Sequence, residues 1–462
     1  MRARGVIVAV LGLTAGLTGC GAHHHTAVNR TRALSRRALL TSAHPCPTQR
    51  RFTCSTLQVP LDYGGQANGT VALAVGAANV AAPRGVLLFL AGGPGQPGIP
   101  FLTLIHTRLR GALAGYRLVM FDQRGTGAGA LDCPALQAAA GASDLTVVPA
   151  AIVAACARSI GAARRYYSTP ETVADIEQLR TALGARQLTL DGVSYGSYVA
   201  ERYALKYPAH VARIVLDSVV PQEGADPLYR AALSGSGRVL RSVCIAERCG
   251  WNPAADVAAV VDHLHDGPAL LNALVAESVV APGYPRVLDA LHAAAAGHPG
   301  TLNAWLAAAR RGEAAPARFL SQGLHESTLC LELAWPWEPA APSAQRAATL
   351  AALAAAAPES ALYPFDRHTA TGNGLAQGCL GWPPTRPADV PDGAATAKLP
   401  PVPILLLSGE RDLSTPLVWA RAEAARAPDG QLLEVPDAGH SVQLRARDPG
   451  VRRSLARFLS GV

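Results

Sequence analysis

The sequence predicts an α/β protein with a mostly parallel central sheet, helices on both faces and a helical cap insertion. Three observations predict it. Short, continuously apolar runs at 86–90, 118–121, 188–190, 211–216 and 402–409 are what a sheet covered on both faces requires. Helical stretches at 172–183 and 197–207 fall between such runs, giving a βαβ alternation. From about residue 236 to 399 strand-like runs nearly vanish, and alanine-rich helical runs replace them.

Each element has its own reason. A strand at 71–75 precedes the run at 86–90. Glu171 and Asp175 sit in the first turns of the 172–183 helix, where the helix dipole favours acids. The insertion carries helices at 254–264, 287–296 and 344–357, interrupted by proline and tryptophan. Strands resume at 402–409 and 431–435. The resulting organisation is a signal at 1–20, a tether at 21–43, core at 44–235, cap at 236–399 and core again at 400–462.

Composition bounds the function. The chain has 462 residues, 49% hydrophobic and 16% charged, which is a folded globular balance. Its net charge is +8, yet Lys206 and Lys398 are the only lysines, and the arginines are scattered. No basic run interleaves with aromatics, so nucleic-acid binding is not expected. Oligomeric state is not readable from the sequence.

The N-terminus reads as an export signal: Arg2 and Arg4, a short apolar stretch, then Leu17-Thr18-Gly19-Cys20. That ending resembles the bacterial lipoprotein processing site, so Cys20 is the expected lipidation site and a lipid anchor the only expected membrane contact. A plain secretory signal is the rival reading. The tether holds His23-His24-His25, read as solvated rather than metal-binding. Removing Cys20 leaves eight cysteines, an even number that favours disulfides in an exported protein. Spacing favours near neighbours: Cys46 with Cys54, Cys133 with Cys156, Cys244 with Cys249, and Cys330 with Cys379. The last pair is expected to bring Glu332, Trp335 and Trp337 near Trp382 at the mouth of the site. No cysteine spacing suggests a metal site, and no cofactor is implied.

The chemistry concentrates in Gly192-Val193-Ser194-Tyr195-Gly196, directly after the strand at 188–190. A serine between glycines at this spacing fits a sharp strand-to-helix turn that exposes its hydroxyl. Such a nucleophile needs a base, and the base a carboxylate to orient it. Asp412 follows the strand 402–409, and His440 follows the strand 431–435, both in loops past strand ends. The order Ser194, Asp412, His440 is the one expected for this type of turn. Glu410, Asp217 and Asp437 are rivals for the acid. His263, His265, His292, His298 and His325 fall outside the strand-end pattern and are expected in solvent. Gly92-Gly93-Pro94-Gly95 follows the strand 86–90. The amide of Gly92 or Gly93, with that of Tyr195, is the expected oxyanion hole. No Gly-Lys-Ser/Thr follows, which argues against a phosphate cradle.

Together with Asp122-Gln123-Arg124-Gly125-Thr126-Gly127, these motifs resemble the α/β-hydrolase superfamily over roughly residues 44–462. Within it they resemble the proline iminopeptidase and secreted tripeptidyl aminopeptidase group. Ser408-Gly409-Glu410-Arg411-Asp412 with Thr415-Pro416 is similar to the C-terminal segment of tripeptidyl aminopeptidases. Ala91 stands where many proline iminopeptidases have histidine. The resemblance implies an α/β-hydrolase fold and an exported serine hydrolase that cleaves peptides from the amino end through an acyl-enzyme. It also implies an acidic residue in the cap that binds the substrate amine. Glu332, in Leu329-Cys330-Leu331-Glu332, is the first candidate and Glu201 the second, because a buried ammonium needs a carboxylate partner. A cell-envelope carboxylesterase or lipase on the same fold is the alternative. A binding lipoprotein without catalysis is a third reading.

Overall fold

The computed structural model describes residues 39–47, 49–387 and 397–461. The expected signal, Cys20 and the histidine run lie outside the described residues. Nine strands form one sheet in the order β1-β2-β3-β5-β4-β6-β7-β8-β9. They are β1 (Leu40–Cys46), β2 (Gln49–Pro60), β3 (Thr70–Ala78), β4 (Val86–Leu90), β5 (Arg117–Phe121), β6 (Leu188–Val193), β7 (Val211–Asp217), β8 (Ile404–Gly409) and β9 (Gly430–Val435). β1, β2 and β3 pair antiparallel, and β3 joins β5 antiparallel. From β5 through β4, β6, β7 and β8 to β9 every pairing is parallel.

β4 lies between β5 and β6, so the chain leaves it first toward one edge and later toward the other. That reversal opens a crevice at the carboxyl ends of β4 and β6, the usual place for a ligand in an open α/β sheet. The strands β4, β6 and β8 are buried throughout, which explains their unbroken apolar sequence.

One face of the sheet is covered by the helices Thr169–Ala182 and Tyr195–Lys206, through Val173, Ile176, Val199 and Tyr203. The other is covered by Leu102–Arg108 and Pro449–Ser460, through Leu102, Ile105, Leu455 and Leu459. A third apolar cluster forms the cap.

The structure moves two boundaries. β1 begins at Leu40, inside the expected tether; its mostly exposed residues gave no apolar run to read. The cap also recruits residues from the first core segment. Leu136, Val153 and Ala157, on helices Pro134–Ala140 and Ala150–Ile160, join the same apolar cluster as Leu240 and Leu271 of the insertion.

Disulfides join Cys46 to Cys54, Cys133 to Cys156, Cys244 to Cys249, and Cys330 to Cys379. The tryptophans depart from expectation. Trp335 and Trp337 stack at 4.7 Å, and with Trp382 they are buried in the cap cluster rather than exposed at an entrance. Their large apolar surface is better satisfied there than in water. Among the described residues no helix is long and apolar enough to cross a membrane.

Candidate active site

β6 runs straight into Ser194, and a helix starts at Tyr195. Ser194 holds φ 57° and ψ −129°, a sparsely populated conformation of the kind retained at functional sites. The two motif glycines make the turn possible. A Cβ on Gly192 would fall 2.2 Å from the Gly196 carbonyl oxygen, and one on Gly196 would fall 2.2 Å from that of Leu90. The Ser194 amide donates to the Asp217 carbonyl at 2.9 Å, tying the turn to β7. Tyr195 heads the helix, so its N–H is among those with no intrahelical acceptor.

Asp412 is fully buried in the loop after β8. Its Oδ1 accepts from the amides of Ser414 and Thr415, both at 2.9 Å. Its Oδ2 accepts from Thr415 Oγ1 at 2.7 Å and pairs with His440 Nδ1 at 2.9 Å. Four contacts fix one carboxylate, and they leave Nε2 as the free ring nitrogen of His440. Burial works against the charged imidazole, but the Asp412 carboxylate and its hydrogen bond override it and raise His440 above its ordinary pKa. Ser194 and His440 line one cavity. No hydrogen bond joins them among the described residues, and such contacts commonly tighten only around substrate.

The rival acids have other places. Asp217 accepts from the amides of Val442 and Gln443, both at 2.9 Å, and so clamps the segment after His440. Gln443 Nε2 in turn donates to Asp191 at 2.7 Å. Burial pushes Asp217 up to about 6 and Asp191 up to about 7. Glu410 is exposed, and Asp437 pairs with Arg411. The cap reaches this loop as well: the His440 amide donates to Ser278 O at 3.2 Å, and Ser278 Oγ accepts from the Leu413 amide at 3.2 Å.

Gly92 and Gly93 form the loop past β4. A Cβ on Gly92 would stand 3.0 Å from Ser194 Cβ, so the loop packs directly on Ser194. Gly93 has φ +107°, a conformation that favours glycine. The Asp-Gln-Arg-Gly motif explains itself here. Asp122 Oδ1 accepts from the amides of Gly98 and Ile99 at 2.9 and 2.8 Å, and Gln123 donates to Ala91 O at 3.3 Å. Arg124 is buried and saturated. It grips Asp175 with two nitrogens at 2.8 and 2.7 Å, and it donates to the carbonyls of Leu61, Tyr166 and Pro60. The motif therefore braces the loop past β4, the candidate oxyanion loop, from behind.

A further pocket, mainly apolar, also reaches Ser194; Gly93, Tyr195, Leu329, Glu332 and Trp419 line it. Glu332 ends the cap helix Gln322–Glu332 and accepts from the amide and hydroxyl of Thr169. That hydroxyl also meets Tyr195 Oη at 2.7 Å, linking the carboxylate to the residue beside Ser194. Burial pushes Glu332 up to about 7, against the lowering effect of the Thr169 bonds. Glu201 does not join it. It lies fully buried, lines neither cavity at Ser194, and neighbours Glu423 and Arg202. Burial first, and Glu423 next, push its carboxyl well above the usual range.

His325 corrects another expectation. It is buried, with Nδ1 3.0 Å from Pro94 O of the oxyanion loop and Nε2 3.4 Å from Asp144, which lines the Glu332 pocket. Its place at the core of a cap helix was invisible without knowing which helix face packs on the loop. Asp144, Trp419 and Thr169 were likewise missed, since no motif surrounds them.

The sheet order, the turn at Ser194 and the strand-end loops define a hydrolase of the α/β type. Comparison with known proteins agrees. Residues 85–237 match the model of the alpha/beta hydrolase fold, and residues 363–461 match that of the TAP-like protein. The chain thus carries an α/β-hydrolase-fold region and a TAP-like C-terminal region. It is 30% identical over 201 residues to a tripeptidyl aminopeptidase of Streptomyces coelicolor, covering 39% of this chain and 37% of that one. It is 27% identical over 259 residues to the serine protease Hip1 of Mycobacterium bovis, covering 51% and 48%. The matches thus span less than half the length of these relatives. A thermophilic esterase from Thermogutta terrifontis aligns with TM-score 0.41 at 16% identity, covering 88% of this chain and 98% of that one.

Proposed function

We propose that this chain is an exported serine aminopeptidase that releases short peptides from free amino termini. Ser194 Oγ attacks the carbonyl, and His440 takes its proton and later delivers it to the leaving amine. Asp412 holds the histidine tautomer and stabilises the imidazolium. The amides of Tyr195 and of Gly92 or Gly93 receive the oxyanion. Glu332 receives the substrate ammonium.

One observation carries the reading: a carboxylate from the cap lines the same apolar pocket as Ser194. A pocket for an acyl chain alone has no use for a buried acid, which costs free energy unless it is paired. An ammonium supplies that partner with a charge-assisted hydrogen bond. The esterase alternative predicts the opposite, a pocket without a carboxylate. Export fits the four disulfides, which persist in oxidising compartments. Lipidation at Cys20 belongs to the same proposal and rests on the N-terminal sequence alone.

The test compares free and N-acetylated tripeptidyl fluorogenic amides with the purified protein. Cleavage of the free-amine form only is expected. Turnover of short-chain esters with no cleavage of either amide would replace the reading by the esterase.

A further inference from the structure

Ser194 stands between two cavities of different character. The Glu332 pocket lies on one side. The other cavity, of ≈ 410 Å³, falls in the size range of small-ligand sites. It is lined by His440, Gly92 and apolar residues such as Phe101 and Ile105, and also by Arg108 and Arg445. His440 lines this second cavity and not the first. The leaving amine takes its proton from His440, so the leaving part of the substrate must lie against that ring. Given the aminopeptidase reading, the amino-terminal part fills the Glu332 pocket, and the second cavity receives what is released on the carboxyl side.

We infer that the second cavity is a leaving-group subsite in which Arg108 and Arg445 bind a carboxylate of the departing peptide.

The two guanidiniums come from two separate elements that line the cavity. Arg108 ends the helix Leu102–Arg108 after β4, and Arg445 ends the short helix after His440. They are close enough to repel: burial first, and Arg108 second, lower Arg445 from its usual value. Arg445 makes one bond, to Val279 O at 2.8 Å, and no carboxylate pairs with either arginine among the described residues. Two unneutralised cations beside an apolar wall are complementary to an anion carried on an apolar group. Arginine forks suit carboxylates in particular. With Glu332 at one end and the arginines at the other, the site matches a short zwitterionic peptide across the scissile bond. The carboxylate can be the peptide's own C-terminus or an acidic side chain.

The inference rests on the aminopeptidase reading for its substrate, and the experiment separates the two. Tetrapeptides with a free amino terminus are compared as C-terminal acids and C-terminal amides. In parallel, pentapeptide amides with aspartate or asparagine after the scissile bond are compared. The wild-type protein should favour the carboxylate form of at least one pair about three- to tenfold in kcat/KM at low salt, with the preference shrinking as salt rises. The pair that responds identifies the source of the carboxylate. Arg108→Gln, an exposed position whose loss leaves folding intact, should reduce the ratio, and Arg108→Gln with Arg445→Gln should bring it to about one. Arg445→Lys, which keeps the charge, should retain most of it. Equal rates within both pairs, or a preference that survives the double substitution, would overturn the subsite. If no peptide is cleaved, the aminopeptidase reading fails by itself. Esters whose leaving alcohol bears or lacks a carboxylate then decide the subsite by the same ratio.

Discussion

Ser194, His440, Asp412 and Glu332 each depend on a small set of contacts, and each gives its own test. Ser194→Ala removes only the nucleophilic oxygen, so kcat should fall by about 10⁴-fold or more while the thermal unfolding midpoint stays unchanged. Residual turnover near the wild-type rate would dismiss Ser194. The pH profile follows from two groups. His440 works as a base only when neutral, and its raised pKa places the loss of activity on the acid side. Glu332 binds an ammonium only when ionised, and burial sets its value at about 7 in the unliganded site. For free-amine substrates kcat/KM should therefore fall on the acid side for two reasons, as Glu332 takes up its proton near pH 7 and as His440 becomes charged. Glu332→Gln should leave a single acid limb, that of His440, together with a raised KM. An unchanged two-step limb in that variant would place the second titration elsewhere. At this scale the sequence was most informative where chemistry imposes a motif. The glycines around Ser194 are forced by backbone clashes that any such turn has, so they could be read directly. Asp144 and His325 could not, because their meeting at the oxyanion loop depends on how a cap helix happens to pack.

The loops past β4, β6, β8 and β9 carry the site, and their bracing decides how well it is held. Asp122 anchors the oxyanion loop through Gly98 and Ile99, and burial raises its pKa to about 6. Asp122→Ala should lower kcat on amides and esters alike by about 10- to 100-fold, because a slightly misplaced donor no longer meets the oxyanion. Kinetics indistinguishable from wild type would mean that the loop holds its shape without Asp122. The buried parallel strands were legible because burial on both faces leaves an unbroken apolar run. β1 and β2 were not, since an edge hairpin with one face in water and arginines at 50 and 51 has no such signature. Asp217 shows the same limit. A strand-end acid looks like a catalytic acid until the structure shows it clamping the His440 segment instead.

The whole molecule sets the sheet that carries Ser194 against a cap that carries Glu332, the proposed amine partner, and a disulfide joins the parts of the cap around it. Cys330–Cys379 closes a separation of 49 residues, and loop-closure entropy puts its contribution to stability at about 4 kcal/mol. Replacing both cysteines by alanine should lower the unfolding midpoint and raise KM for free-amine substrates more than it lowers ester turnover, since Glu332 lies two residues from Cys330. An equal effect on both substrate classes would show the bridge to be remote from amine binding. The helical character of the insertion was legible from the change in periodicity near residue 236, which falls within the helix Arg230–Glu247. The recruitment of helices Pro134–Ala140 and Ala150–Ile160 into the cap was not, because a helix does not announce which neighbour covers its apolar face. The central claim is that Ser194 and Glu332 act on the two ends of one peptide segment. Its most direct test is the ratio of kcat/KM for free over N-acetylated tripeptidyl amides, measured in the wild type and in Glu332→Gln. A ratio well above one that collapses by about tenfold or more in the variant is the expected result. A ratio that is the same in both proteins would contradict it.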